Sequence, residues 1–288
     1  MSATELDRAP SAPDRILAEV TTPGRDQGTR RSRILSVLLP PVLVFAGLIA
    51  LWQVFVLLID PRPDLYPGPA EAVAAFVSAW EAGTITEAVT TSLQRGVLGF
   101  GLSVLIAVPI GLVLAETPWL RRAFGPFVTG LQVLPSVAWV PVAIIWFGLT
   151  DATVFTVILL GAVPSIINGL VTGMSQVPPQ FNQVARVLGA SRRERLQLIV
   201  IPAALPNFIG GLKQGWAFAW RSLMAAEIIA TGGTLGFGLG ALLDQGRQLA
   251  DMAGVFTAIV LILVVGVLIE IAVFGPLERF VAVRRGLR

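Results

Sequence analysis

Long runs without a single charged residue constrain this chain more than any other feature. Ile34–Ile59, Gly96–Ala115, Ala123–Thr150, Ala152–Ala185 and Met252–Ile269 contain no Asp, Glu, Lys or Arg. A helix needs about 20 apolar residues to cross the hydrocarbon core of a bilayer, and most of these runs are long enough. A further segment, Pro206–Ala230, is apolar but carries Lys213, Arg221 and Glu227. Charged residues make up 14% of the chain and hydrophobic ones 55%, whereas soluble domains carry roughly 25% charge. The end of the fourth run, Ser175 to Gln180, is polar without being charged, so its span is expected to end near Met174. The expected fold is an all-α membrane protein with six transmembrane helices, near 36–59, 92–115, 124–149, 153–174, 207–230 and 252–274, in the cell membrane as a multi-pass protein.

The remaining positive charges are sorted by side. Arg8, Arg15, Arg25, Arg30, Arg31 and Arg33 precede the first span, and Arg121 and Arg122 follow the second. Arg186, Arg192, Arg193 and Arg195 follow the fourth, and Arg279, Arg284, Arg285 and Arg288 close the chain. With six spans these regions share one face, while the other keeps Arg62 and Arg247, with Arg95 at a helix end. The positive-inside rule makes the basic face cytoplasmic and puts both termini there. The sequence pI of about 10.4 is therefore topological, and a lipid bilayer rather than nucleic acid is the expected partner.

Residues 1–33 are polar with little apolar periodicity and are expected to be a disordered cytoplasmic tail. The first apolar run starts too late and is too long for a cleaved signal peptide, so a retained anchor is expected. With no Cys and no His, disulfides and zinc sites built from those ligands are excluded. The one lysine, in Gly211-Leu212-Lys213-Gln214, does not complete a phosphate-binding G-x-x-x-x-G-K-[ST] loop. Nothing resembles a catalytic triad or a metal cluster. The chain is expected to be no enzyme and to bind no cofactor.

Outside the spans, Val73, Phe76, Val77 and Trp80 follow helical spacing, which predicts a short amphipathic helix in the first outer loop. The polar loop at 175–206 is more distinctive. Pro178-Pro179 can open a helix, and Phe181, Val184, Ala185 and Leu188 give it an apolar face. Gly189 suits the left-handed position that ends such a helix. Ser191 with Glu194 forms a capping box for a second helix, expected to run to about Val200 before Pro202 and Pro206 break the chain. Such a loop is either a docking lever or an amphipathic segment resting on headgroups.

The loop resembles the EAA motif of importer-type ABC permeases: Gln183-Val184-Ala185 aligns with its Glu-Ala-Ala, Gly189 with its glycine and Ile201-Pro202 with its closing pair. Leu65-x-Pro67-x-Pro69, Ser92-Leu93-x-Arg95, Leu134-Pro135-Ser136-x-Ala138-Trp139-x-Pro141 and Trp146-Phe147-Gly148 are similar to the aliphatic sulfonate, taurine and nitrate permease branch. The similarity spans about residues 35–285. It implies a permease domain over 34–285 that forms the pathway as a homodimer. It also implies two cytoplasmic ABC ATPase subunits, which use ATP and Mg, and an extracytoplasmic solute-binding protein. Phe181, Gln183, Val184, Ala185, Leu188, Gly189, Ala190 and Pro202 would then couple to the ATPase. Gln183 removes the motif's acid, so docking is expected to depend on the apolar face more than on charge at 183. Aliphatic sulfonates are the expected cargo, with taurine, nitrate and a thiamine-precursor pyrimidine as alternatives.

Intramembrane charges are costly and face a bundle interior, a cavity or each other. Arg221 therefore either meets an anion in the pathway or pairs with an acid such as Glu227. Gln132, Ser136, Trp139, Trp220, Arg221 and Glu227 are the pathway candidates, and Pro135 and Pro141 are expected to kink or unwind the third span. Lys213 is expected to snorkel, Arg95 to cap a helix or anchor at the interface, and Gly96, Gly99 and Gly101 to allow close packing. An ion-gradient-driven secondary transporter is the rival class. It would show inverted repeats and buried acids along the spans, and Glu227 is the one mid-span acid.

Overall fold

The computed structural model describes residues 30–59, 62 and 65–284. The expected tail lies outside them up to residue 29, as do Arg285 and Arg288. No strand occurs among the described residues, and the chain is an all-helical membrane protein. Helix α1, Arg30–Ile59, covers the first expected span and falls in a unit separate from the rest of the chain.

In the second unit, α2 (Pro69–Glu81) realises the amphipathic helix of the outer loop, with Pro69 at its first turn and Glu71 reaching back to the Gly68 amide at 2.7 Å. After a left-handed Gly83, α3 (Thr84–Glu116) begins at once. It starts well before the expected boundary at 92. The third span is broken, not kinked: α4 (Pro118–Val133) and the helical stretch Ser136–Phe147, which ends in α5 (Val140–Phe147), meet at 92°. Proline forces the preceding residue out of helical backbone, and Leu134 and Pro135 are both extended, with ψ of 125° and 123°. Pro141 sits harmlessly in the first turn of α5.

Helix α6 (Asp151–Ser175) is the axis of the unit, packing most extensively on α8 (Arg192–Ile229) and then on α3. Val154, Val157, Ile158 and Ile166 of α6 are fully buried against a core that includes Ala219 and Leu223 of α8. Where α6 crosses α8 the backbones touch: a Cβ on Gly169 would lie 2.4 Å from the Gly211 Cα. Of the three glycines expected to permit close packing, Gly99 does so against Ile158 and Gly96 meets Leu223 and Trp216, but Gly101 faces open space.

Pro202 and Pro206 do not break the chain. Helix α8 continues from Arg192 to Ile229 through a π-turn at Leu196–Val200, where the Ile201 amide bonds back to the Leu196 carbonyl. A proline ring clashes with the carbonyl four residues earlier, and the wider π-turn just before Pro202 moves that carbonyl aside. A short helix, α9 (Leu239–Gln248), and the last long helix, α10 (Met252–Val283), complete the unit. Four of these helices are long and apolar enough to cross a membrane, α3, α6, α8 and α10, and the bent pair can supply a fifth crossing.

Candidate functional site

Because α3 starts at Thr84, Arg95 lies inside the helix and neither caps nor anchors it. It is 6% exposed. Its Nε donates to Asp151 Oδ1 at 2.8 Å, and its Nη1 donates to Glu227 Oε1 at 3.0 Å and to the Gly236 carbonyl at 3.3 Å. Glu227, also buried, accepts in addition from Ser92 Oγ at 2.6 Å and from the Gly240 amide at 3.0 Å. The Ser92 hydroxyl oxygen accepts from the Leu239 amide at 2.8 Å. This knot ties α3, α6, the end of α8 and the glycine-rich segment before α9 together. A side chain at 238 has no room, since a Cβ there would lie 2.4 Å from Glu227 Oε1. Within this chain Glu227 is held by Arg95 and does not pair with Arg221.

Arg221 makes no ion pair among the described residues, and its guanidinium lies 5.6 Å from the centre of the Phe218 ring. It borders a cavity of about 300 Å³ at the break between α4 and α5, together with Gln132, Ser136, Gly161 and Ala225. Three pathway candidates, Gln132, Ser136 and Arg221, thus meet in one place. Ser222 Oγ donates to Ser136 Oγ at 2.8 Å, pinning the break to α8 directly over Gly161. Trp139 is half-buried in the turn before α5 and does not line this cavity. Trp220 stacks on Trp216 and donates its indole N–H to the Ile262 carbonyl at 3.3 Å, so it packs between α8 and α10. Glu227 belongs to the buried knot.

The 175–206 loop forms as its turn chemistry requires. Helix α7 (Pro179–Val187) ends in a Schellman arrangement, with Gly189 at φ 73° and the Ala190 amide bonded to the Ala185 carbonyl at 3.0 Å. The capping box closes reciprocally: the Glu194 amide donates to Ser191 Oγ at 3.3 Å and the Ser191 amide to Glu194 Oε2 at 2.8 Å. Ala185 is buried, whereas Phe181, Val184, Val187 and Leu188 are exposed. Gln183 is exposed, Ala190 is half-buried, and Pro202 is half-buried inside the continuous α8.

Sequence reasoning missed what holds this loop. Arg195 donates from Nη1 to Asn182 Oδ1 at 2.8 Å and from Nη2 to Glu116 Oε2 at 2.9 Å, and Arg192 Nε reaches the same oxygen at 3.3 Å. One guanidinium therefore joins α7, α8 and the end of α3. Glu116 offered a signal: an acid in the last turn of a helix opposes the helix dipole. Below the main core, Leu170, Met174, Val177, Val200 and Ala204 form a second apolar cluster that seats the loop on the spans. Lys213 does not simply snorkel, since its Nζ lies 2.9 Å from Glu270 and 3.7 Å from Glu278 of α10.

These features define a helical membrane protein of the transporter class: a bundle of apolar spans, polar groups gathered at a helix break, and a rigid loop presenting apolar side chains. The chain belongs to the family of binding-protein-dependent transport system inner membrane components, whose model matches residues 107–282. It is thus a multi-pass permease subunit of an ABC importer and not an enzyme, with the ATPase on a separate subunit. That membership decides against the gradient-driven rival. The nitrate import permease protein NrtB of Synechococcus elongatus is 28% identical over 213 residues, covering 70% of this chain and 76% of that protein. The SsuC permease protein of Bacillus subtilis, named for aliphatic sulfonates transport, is 28% identical over 229 residues, covering 80% and 82%. The bicarbonate transport system permease protein CmpB of Synechococcus elongatus is 31% identical over 191 residues, covering 66% and 65%. Among solved structures, a chain of the MetNI methionine ABC transporter in an inward-facing conformation matches with a TM-score of 0.60 at 18% identity, over 70% of this chain and 97% of that one.

Proposed function

We propose that two copies of this chain form the pathway of an importer for a small anion, with aliphatic sulfonates as the leading cargo. Arg221 carries this reading: an intramembrane cation that meets no acid among the described residues, beside a cavity at a helix break. A cation held in a membrane span without a counter-ion is costly, and a transported anion supplies the missing charge. The relatives named for nitrate, sulfonates and bicarbonate support an anionic cargo, and each of those ions would meet Arg221 by the same chemistry. Taurine, itself a sulfonate, fits too, whereas a neutral thiamine-precursor pyrimidine would leave Arg221 without a role.

Around that cavity, residues 34–285 are the permease domain, with six spans and both termini cytoplasmic. The spread of arginines supports this topology. An extracytoplasmic binding protein delivers the anion. Two ABC ATPases, using ATP and Mg, dock on the 175–206 loop through Phe181, Val184 and Leu188, and Val187 adds to the same exposed surface. Closure of the ATPases would move the loop, and with it α8, as a rigid body.

The deciding measurement is ATP-driven uptake of a radiolabelled sulfonate by the complete transporter in proteoliposomes. Arg221→Gln is expected to lower uptake about tenfold, equivalent to about 1.4 kcal/mol of transition-state stabilisation, and Arg221→Lys to retain most of it. Wild-type uptake by Arg221→Gln would remove the basis for an anionic cargo.

A further inference from the structure

Asn207, Gln214 and Arg221 recur every seven residues along α8, with Gly210 and Phe218 between them. That spacing keeps them on one face of the helix. All three are exposed. On the neighbouring α6, Asn168, Thr172 and Gln176 recur every four residues and form a matching stripe. Between the stripes lies a groove of about 440 Å³ bordered by Gln132, Asn168, Thr172, Gln176, Asn207 and Gln214. Its narrow end is set by the contact of Gly169 with Gly211.

The groove is adjacent to the Arg221 cavity, with Gln132 bordering both. There Gln132 Oε1 accepts from Asn168 Nδ2 at 2.6 Å. No acid borders either space, and Arg221 is the one charged residue in the two linings. Carboxamides and a hydroxyl cannot be left facing hydrocarbon without a cost of several kcal/mol each on transfer scales of about 4–8. Elsewhere the spans expose apolar residues such as Leu105 on α3 and Leu263 on α10.

We propose that Asn168, Thr172, Gln176, Asn207 and Gln214 line the inner half of a water-filled anion path leading from Arg221 towards the coupling loop. The assignment rests on the importer function proposed above and extends it to residues that the sequence reading left unassigned. Side-chain amides donate N–H groups to an oxyanion without adding net charge. A single cation followed by neutral donors draws a monoanion in and lets it leave, since binding at a conducting site must stay weak enough for release.

The chain has no cysteine, so single thiols can be placed in an otherwise native sequence. Thr172→Cys, Asn207→Cys and Gln214→Cys, with Leu105→Cys and Leu263→Cys as lipid-facing controls, are made in the complete transporter in proteoliposomes. Each is treated with a membrane-impermeant methanethiosulfonate reagent bearing either a sulfonate or a trimethylammonium group, and modification is read on the mass of this chain. The thiolate attacks the sulfenyl sulfur, forms a mixed disulfide and expels methanesulfinate. Rates are normalised to those of each reagent with a free thiol in solution.

The groove positions are expected to react while the controls do not. The anionic reagent is expected to be favoured about tenfold, within the range by which charged clefts concentrate counter-ions, and Arg221→Gln should abolish the preference. Groove thiols as inert as the controls would mean a dry protein interface and overturn the path, and equal rates for the two reagents would overturn anion selection. Thr172→Cys is close in size to the native residue and guards against a folding artefact. Uptake by the unlabelled transporter separates the two levels: uptake with inert groove thiols rejects the groove alone, and no anion uptake rejects the importer function on which it rests.

Discussion

Arg95 and Arg221 are both arginines within membrane-spanning helices, yet they live in opposite surroundings. Arg95 is sealed among Asp151, Glu227 and backbone carbonyl oxygen, and the cavity of about 400 Å³ beside it is bordered by both signs of charge, with Glu227 and Asp244 among its lining. Arg221 meets no acid among the described residues and borders a cavity lined by Gln132, Ser136 and apolar groups. A compensated charge specifies how α3, α6 and α8 fit together, while the proposed transport role needs one that is left uncompensated. Six positions along a continuous helix put Arg221 and Glu227 on different faces, so Glu227 turns to Arg95 and not to Arg221.

The largest expected effect comes from breaking the outer knot. Glu227→Leu leaves Arg95 buried with one carboxylate fewer and should destabilise the purified protein by about 3–5 kcal/mol, the usual cost of orphaning a buried charge. Denaturant unfolding in detergent measures it. Replacing both partners with methionine should recover only part of that loss, because the buried charge is no longer orphaned but the Gly240 amide and Asp151 still lose a partner. Gly238→Ala comes next, at about 1–3 kcal/mol for overpacking, since its Cβ would press on the Glu227 carboxylate. Arg221→Gln should alter stability by no more than about 0.5 kcal/mol while cutting uptake. A loss of stability there comparable to that of Glu227→Leu would erase the distinction between the two arginines.

The smallest effects are expected at the coupling loop, where ATPase co-purification is the readout. Val184→Asp places a charge on the exposed apolar surface and should weaken ATPase retention about tenfold, or 1.4 kcal/mol. Gln183→Glu should change it less than twofold, below about 0.5 kcal/mol. The reverse ranking would show that charge at 183, and not the apolar face, controls docking.

Much of the fold was legible because its signals are local. Apolar runs mark helices, Gly189 marks a left-handed turn, and Ser191 with Glu194 marks a helix start. Pro135 pointed to a break, though its 92° bend depends on how α4 and α5 pack. The continuity of α8 was not legible, because a π-turn before Pro202 absorbs a clash that a regular helix would not tolerate. The groove could have been found from the seven-residue spacing of Asn207, Gln214 and Arg221. Its partner stripe on α6 becomes relevant only once those helices are known to be neighbours.

The sequence by itself determined a helical membrane protein with a capped loop, fixed by continuous apolarity and short-range turn chemistry, and its motifs pointed to the permease family. Tertiary structure decided which charges are spent on one another. Arg95 and Glu227 lie 132 residues apart in the chain, while Arg221 is only six positions from Glu227. Nearness in sequence nonetheless failed to pair them. An ion pair inside a membrane protein forms where packed helices bring desolvated groups to hydrogen-bonding distance, and that geometry is a property of the assembled bundle.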